Sequence, residues 1–259
     1  MNAEDPVPVD PQLTAALAAR AKMERLLAAP TPFADDTGQA LPEVTAAIEA
    51  TDLPRHEYMR GIVAALTATR VIVPVAAHPL TGPTGAATPH AVHTNDASRD
   101  AATLAVTLPD GHIALPVFTS AAAMNAWRDD VRPVPVDPHR AAAVACEHTD
   151  QLWVLDPGTL DLRLPRPAVV ALAGGEDWIP SWASDAIQSE VRAQLETVDG
   201  VTGVAFAPGE ASELRVFIRV DADQGMPAVA AALDGCQRVM VNPAWGELID
   251  TIELCPVPD

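Results

Sequence analysis

Apolar residues recur along this chain at two spacings, one near 3.6 residues and one near 2, and each change of spacing marks the edge of an expected element. Leu13, Leu17, Leu26 and Leu27 fall close to one helical face. Pro11 suits the first turn of that helix, and the "APTP" stretch at 29–32 stops it. A short helix is expected over Pro42 to Ala50 and a longer one from near Pro54 through "RHEYMRGIVAALTA", which gives way to "RVIVPV", a β-branched run that suits a buried strand. Residues 77–102 keep no period and carry Gly and Pro among polar residues, as a long loop or ordered excursion would.

"TLAVTLPDGHIALPVFT" then alternates on both sides of Asp110-Gly111, a tight-turn dipeptide, and reads as a β-hairpin. A helix over Ser120 to Asp129, a strand near "VRPVPV", a helix over "PHRAAAVACEHT" and a strand "QLWVLD" closed by Pro157-Gly158 follow. "RPAVVALAGG" fits either a strand or a short helix. A break lies at "GGEDWIPSWA", residues 174–183, where a Gly-Gly pair and a proline are flanked by two tryptophans. Beyond it come a helix, "SDAIQSEVRAQLETV", the strands "VTGVAFAP" and "ELRVFIRV", a helix "MPAVAAAL", the segment "CQRVMVNPAWGELI" and a last strand, "DTIELCPV". That order can be laid out as a small antiparallel sheet with helices on one face, similar to ferredoxin-like topology. The expected fold is α+β, with mixed α/β-type units: an N-terminal helical extension over 1–50 and two small domains over 51–175 and 183–259.

Charge and composition narrow the function classes. Lys and Arg total 16 against 35 Asp and Glu, a formal net charge of −19 that repels phosphate backbones and anionic membrane surfaces at long range. Nucleic acid and membrane are therefore not expected partners. No apolar run reaches the roughly 20 residues that span a bilayer, and the opening "MNAEDPVPVDP" lacks the blocks of a signal peptide, so the chain reads as cytoplasmic. All the basic residues except Lys22 are arginine, which together with abundant Ala and Pro points to a bacterial, GC-rich source. Cys146, Cys236 and Cys255 form no C-x-x-C pair and read as free thiols.

Candidate chemistry concentrates at "GHIALPVFTSAAAMNAW", where an alternating strand ends on Phe118, Thr119 and Ser120 and a small-residue helix begins. A nucleophilic hydroxyl needs a base, an orienting acid and oxyanion donors, and the G-x-S-x-G elbow is missing here. Thr119 or Ser120 is instead expected to cap the helix. Phe118 and Trp127 are expected to anchor the core on either side of the turn. His78, His90 and His93 share the 77–102 stretch, and His90-x-x-His93 has a metal-compatible spacing, although a solvated loop explains it as well. The Asp35-Asp36 and Asp129-Asp130 pairs read as solvated surface. Trp178 and Trp182 are expected either to pack across a seam between domains or to anchor a protein partner. No catalytic, cofactor-binding or metal-ligating residue is assigned.

The residues Leu115, Pro116, Val117, Phe118, Thr119 and Ser120, with Trp127 near the end of the following helix, resemble the signature of the SseB family, named for enhanced serine sensitivity. "RVIVPV" resembles that family's upstream strand, and "LWVLDPGT" its apolar-Asn-Pro-Gly element with Asp156 in place of the Asn. The resemblance implies an SseB N-terminal domain over about 55–175 and an SseB C-terminal domain beyond it. It implies no established catalytic activity and no cofactor. The expected function is a non-enzymatic cytoplasmic module that binds a protein or regulates one. The alternative is a small-molecule-binding or enzymatic protein, linked to serine or amino-acid metabolism, with a cleft between its domains lined by Thr119, Ser120 and a loop histidine. Sequence leaves the oligomeric state open.

Overall fold

A computed structural model describes residues 33, 35–76, 100–221, 223 and 225–258. The expected helix over 11–29, and most of the 77–102 stretch with His78, His90 and His93, lie outside the described residues.

The first unit begins with α1 (Pro42–Glu49) and α2 (Arg55–Thr67). On α2, Met59, Ile62, Val63 and Leu66 recur at helical spacing and are all buried, so one stripe of the helix faces the core. Val44 of α1 joins the same core, and the compact unit thus starts before residue 50. β1 (Val71–Ala76) pairs antiparallel with β4 (Val131–Val136), bringing Pro74 opposite Pro133. A second sheet has the order β2 (Val106–Thr107), β3 (Ile113–Val117), β5 (Trp153–Leu155), β6 (Leu162–Leu164). β2 and β3 form the expected hairpin, with Asp110-Gly111 at its turn and Gly111 at a φ of +88° that a glycine adopts without strain. β3 and β5 run parallel, because α3 (Ala121–Trp127), β4 and α4 (Pro138–His148) carry the chain back between them.

"RPAVVALAGG" is a helix, α5 (Arg166–Gly174). Proline in its first turn and Gly175 in the left-handed region after its end are the start and stop that a short apolar run alone does not reveal. α5 packs on α4, where Ala141, Ala142, Ala143 and Ala145 are all buried. Small side chains let these helices approach closely, which is how a chain with 4% aromatic residues fills a core.

The second unit opens on a single 3-10 turn (Ser181–Ala183) and α6 (Asp185–Leu195), followed by β7 (Val201–Pro208), β8 (Leu214–Val220), α7 (Met226–Met240), the short α8 (Trp245–Leu248) and β9 (Ile252–Pro258). Its sheet, ordered β7-β8-β9, corrects the expected antiparallel arrangement: β7 and β8 are antiparallel, but β8 and β9 are parallel. α7 crosses over the sheet and returns the chain to the end where β8 began, so β9 must run the same way. Leu214, Val216, Ile218 and Val220 are buried while Arg215, Phe217 and Arg219 point to the other face. Two edge strands carry the same tripeptide, Pro133-Val134-Pro135 in β4 and Pro256-Val257-Pro258 in β9.

Candidate functional site

The strand-to-helix turn is built by a change of partner. Leu115, Pro116 and Val117 pair with β5, and Phe118 then exchanges both backbone hydrogen bonds with Ile72 of β1 at 2.8 Å each. Phe118 is fully buried and meets the half-buried Trp127 with ring centroids 5.4 Å apart. The Ser120 hydroxyl accepts the Ala123 N–H at 3.1 Å and caps α3, as expected. Thr119 does something else. Its N–H donates to Asp156 Oδ1 at 2.8 Å and its hydroxyl to Asp156 Oδ2 at 2.7 Å.

Asp156 follows β5 with φ at +46°, a left-handed position that Asp and Asn tolerate better than most residues. Burial pushes its carboxyl above the usual carboxylate range, partly offset by the Thr119 N–H and hydroxyl. Thr119 also meets the buried Arg70, which donates from Nη1 to the Thr119 carbonyl at 2.7 Å, from Nη2 to the Gln39 carbonyl and from Nε to Asp36 Oδ2 at 2.8 Å. Asp36 is therefore a structural ion-pair partner and not the solvated residue expected of the Asp35-Asp36 pair. Its partial burial alone would raise its pKa, but the Arg70 guanidinium and the Gly38 N–H hold it below the usual value. Asp129 and Asp130 are exposed, with Asp130 paired to Arg128 at 2.6 Å.

A second polar cluster sits where the two units meet. Trp178 packs on the core of the first unit and Trp182 on that of the second, and their rings meet edge to face at 5.7 Å. His56 of α2 approaches Trp182 edge-on at 5.9 Å. Glu213, at the start of β8, is buried and gathers donors from two segments. Its Oε1 accepts the Ser181 N–H at 3.1 Å and the Ser181 hydroxyl at 2.7 Å, and its Oε2 accepts the Asp250 N–H at 2.6 Å. Burial raises its pKa, offset in part by those same donors. Arg163 of β6 bridges the units, reaching Asp110 at 2.5 Å and Asp250 at 3.0 Å.

These contacts enclose a cavity of about 230 Å³ between the units. α2 contributes Arg55, His56 and Met59 to its wall, and Trp182 and the 209–213 loop stand opposite. Thr119 and Ser120, placed in such a cleft by the sequence alternative, are instead 8% exposed and part of the turn described above; the histidine on the wall is His56, which the sequence did not single out. Arg70, Asp156 and Glu213 were likewise missed as site residues.

The other histidines among the described residues are dispersed: His112 lies 3.2 Å from Asp150, His139 bonds the Leu172 carbonyl at 2.8 Å and His148 neighbours Glu147. Among the described residues no group of three His, Cys, Asp or Glu side chains could hold a metal ion. The three cysteines are free, and burial pushes the Cys146 thiol up to about 11, leaving it protonated and unreactive at neutral pH. No helix among the described residues is long and apolar enough to cross a membrane.

No curated protein and no solved structure matches the chain. Residues 44–171, which contain Arg70, the Phe118-Thr119-Ser120 turn and Asp156, match the model of the SseB protein N-terminal domain. With the turn, its cap and its upstream strand in place, residues 44–171 form an SseB protein N-terminal domain.

Proposed function

We propose that this SseB-family protein is a non-enzymatic, cytoplasmic module of two domains that acts by binding another protein, with the docking surface on the C-terminal domain over 183–259. The observation that carries this reading is a groove of about 690 Å³ between the end of α7, α8 and β9. Met240, Val241, Trp245, Ile249 and Leu254 line it. Val241 is 78% exposed and the neighbouring Leu248 43%, an apolar concentration of the kind that marks interaction sites. The occupant that fits is an amphipathic helix with a basic flank. Glu247 is exposed on α8 beside the groove, Arg166 on its wall is already bonded to the Asp150 and Gly246 carbonyls, and the net charge of −19 draws cationic segments from a distance. Trp178 and Trp182 offer less free surface, since both rings are half-buried against each other and the exposed apolar residue between them is Ile179. A non-catalytic role is supported by the engagement of both hydroxyls of the 119–120 turn in structural hydrogen bonds.

Fluorescence anisotropy with two labelled helical peptides, one of Leu and Lys and one of Leu and Glu, tests this at near-physiological salt. The Leu-Lys peptide is expected to bind at least about tenfold tighter, and Val241→Lys to weaken it about tenfold without changing Tm. Equal affinity for the two peptides, or unchanged binding by the variant, overturns the reading.

A further inference from the structure

We propose that the cavity between the two units is a binding site for a small monocarboxylate with a flat, apolar body. This goes beyond the protein-docking reading and, Asp250 apart, rests on different residues. At about 230 Å³ the cavity has room for many water-sized groups, each needing roughly 10–15 Å³, and so for a molecule of metabolite size.

The polar wall is unbalanced toward donors. Glu213 already accepts from the Ser181 N–H and hydroxyl and from the Asp250 N–H. Asp250 in turn accepts from Arg163 Nη2 and the Arg166 N–H. Donors remain on the same wall. Arg163 uses both terminal nitrogens on Asp110 and Asp250, and its Nε is buried out of a ligand's reach, so the free donors are those of Arg55. Arg55, the first residue of α2, makes one long bond from Nη1 to the Ser212 carbonyl at 3.4 Å and has no ion-pair partner among the described residues.

A guanidinium beside carboxylates that are already engaged selects a group that only accepts. A carboxylate matches its planar fork, forming two parallel N–H to oxygen bonds. The rest of the wall sets the body of the ligand. The Trp182 indole, the Met59 thioether and the Pro165 ring offer an apolar lining that suits a flat hydrocarbon. Inorganic phosphate would leave that lining unmatched, and a dianion is repelled more strongly than a monoanion by a chain of this net charge.

Trp182 in the wall supplies an optical signal. The full chain is titrated with sodium benzoate, neutral benzamide and inorganic phosphate, followed by tryptophan emission and by calorimetry. Benzoate is expected to bind at least about tenfold tighter than either of the others. Arg55→Gln is expected to abolish that preference while leaving benzamide unchanged, and Arg55→Lys to restore part of it; Arg55 is exposed, and an unchanged Tm shows that the variants fold. Val241→Lys, on the other surface, is expected to leave benzoate binding intact, which separates this site from the groove. Equal binding of benzoate and benzamide, tighter binding of phosphate, or full benzoate preference in Arg55→Gln overturns the proposal.

Discussion

Asp156 and Glu213 are each 5% exposed, each has its pKa raised by burial, and each sits against a hydroxyl-bearing residue, yet they are not equivalent. Both oxygens of Asp156 are served by Thr119, one by its N–H and one by its hydroxyl. Glu213 meets an N–H on each oxygen, from Ser181 in the 3-10 turn that opens the second unit and from Asp250 just before β9. A hydroxyl both donates and accepts, whereas an N–H only donates. A carboxylate is therefore needed where two N–H groups converge from separate segments, and it is replaceable where a hydroxyl covers one side. The first carboxylate shapes a turn inside one unit. The second holds three stretches of chain together.

The sharpest way to break this contrast is to make the same isosteric change at both positions. Glu213→Gln must turn an amide NH2 toward an N–H, leaving two buried donors without an acceptor, and is expected to cost about 3 kcal/mol in urea unfolding. Removing the hydroxyl from the other site comes next: Thr119→Val strips one donor from Asp156 and is expected to cost about 1.5 kcal/mol, with a smaller loss in the Asp156→Asn background.

Asp156→Asn itself is expected to stabilise by up to about 1 kcal/mol near pH 7, since the amide oxygen accepts the Thr119 N–H, the amide nitrogen donates to the hydroxyl, and the buried charge is gone. Its sign with pH is fixed. The folded state of the parent holds the Asp156 proton to higher pH than the unfolded chain does, so the parent loses stability as pH rises from the unfolded value, about 3.9, through the raised folded one. The Asn variant lacks that loss. Its advantage should grow across that window and stay constant above it, as read from urea midpoints at a series of pH values. An advantage that shrinks with rising pH would show that the folded state favours the charged form.

How far each feature was legible in the sequence follows from how local its cause is. The hairpin at Asp110-Gly111, the cap at Ser120 and the buried face of β8 depend on residues within a few positions of each other, and simple spacing exposes them. Arg70 and Thr119 are 49 residues apart, Thr119 and Asp156 37, Ser181 and Glu213 32. Among 35 acidic residues nothing local separates Asp36 or Glu213 from those in water, and the Asp-Pro-Gly motif that marks Asp156 as a turn residue does not reveal its partner. The direction of β9 was hidden for a related reason: alternation in a strand reports which side chains are buried, not which way the strand runs. A cleft between the domains could be posed from sequence as an alternative, but its lining could not be read, because the wall is shared by α2, β6 and the 209–213 loop, which only the docking of the two units brings together.

The repeated Pro-Val-Pro edges bear on how the molecule behaves in a crowded solution. Proline has no N–H, so alternate prolines pairing within their own sheets leave β4 and β9 without donors along part of their outer sides. A neighbouring chain that tried to extend either ladder would meet carbonyls with nothing to answer its own. Each unit thus carries a built-in terminator against strand-by-strand aggregation, and a Pro135→Thr, Pro256→Thr double variant would be the form to watch for fibres at high concentration.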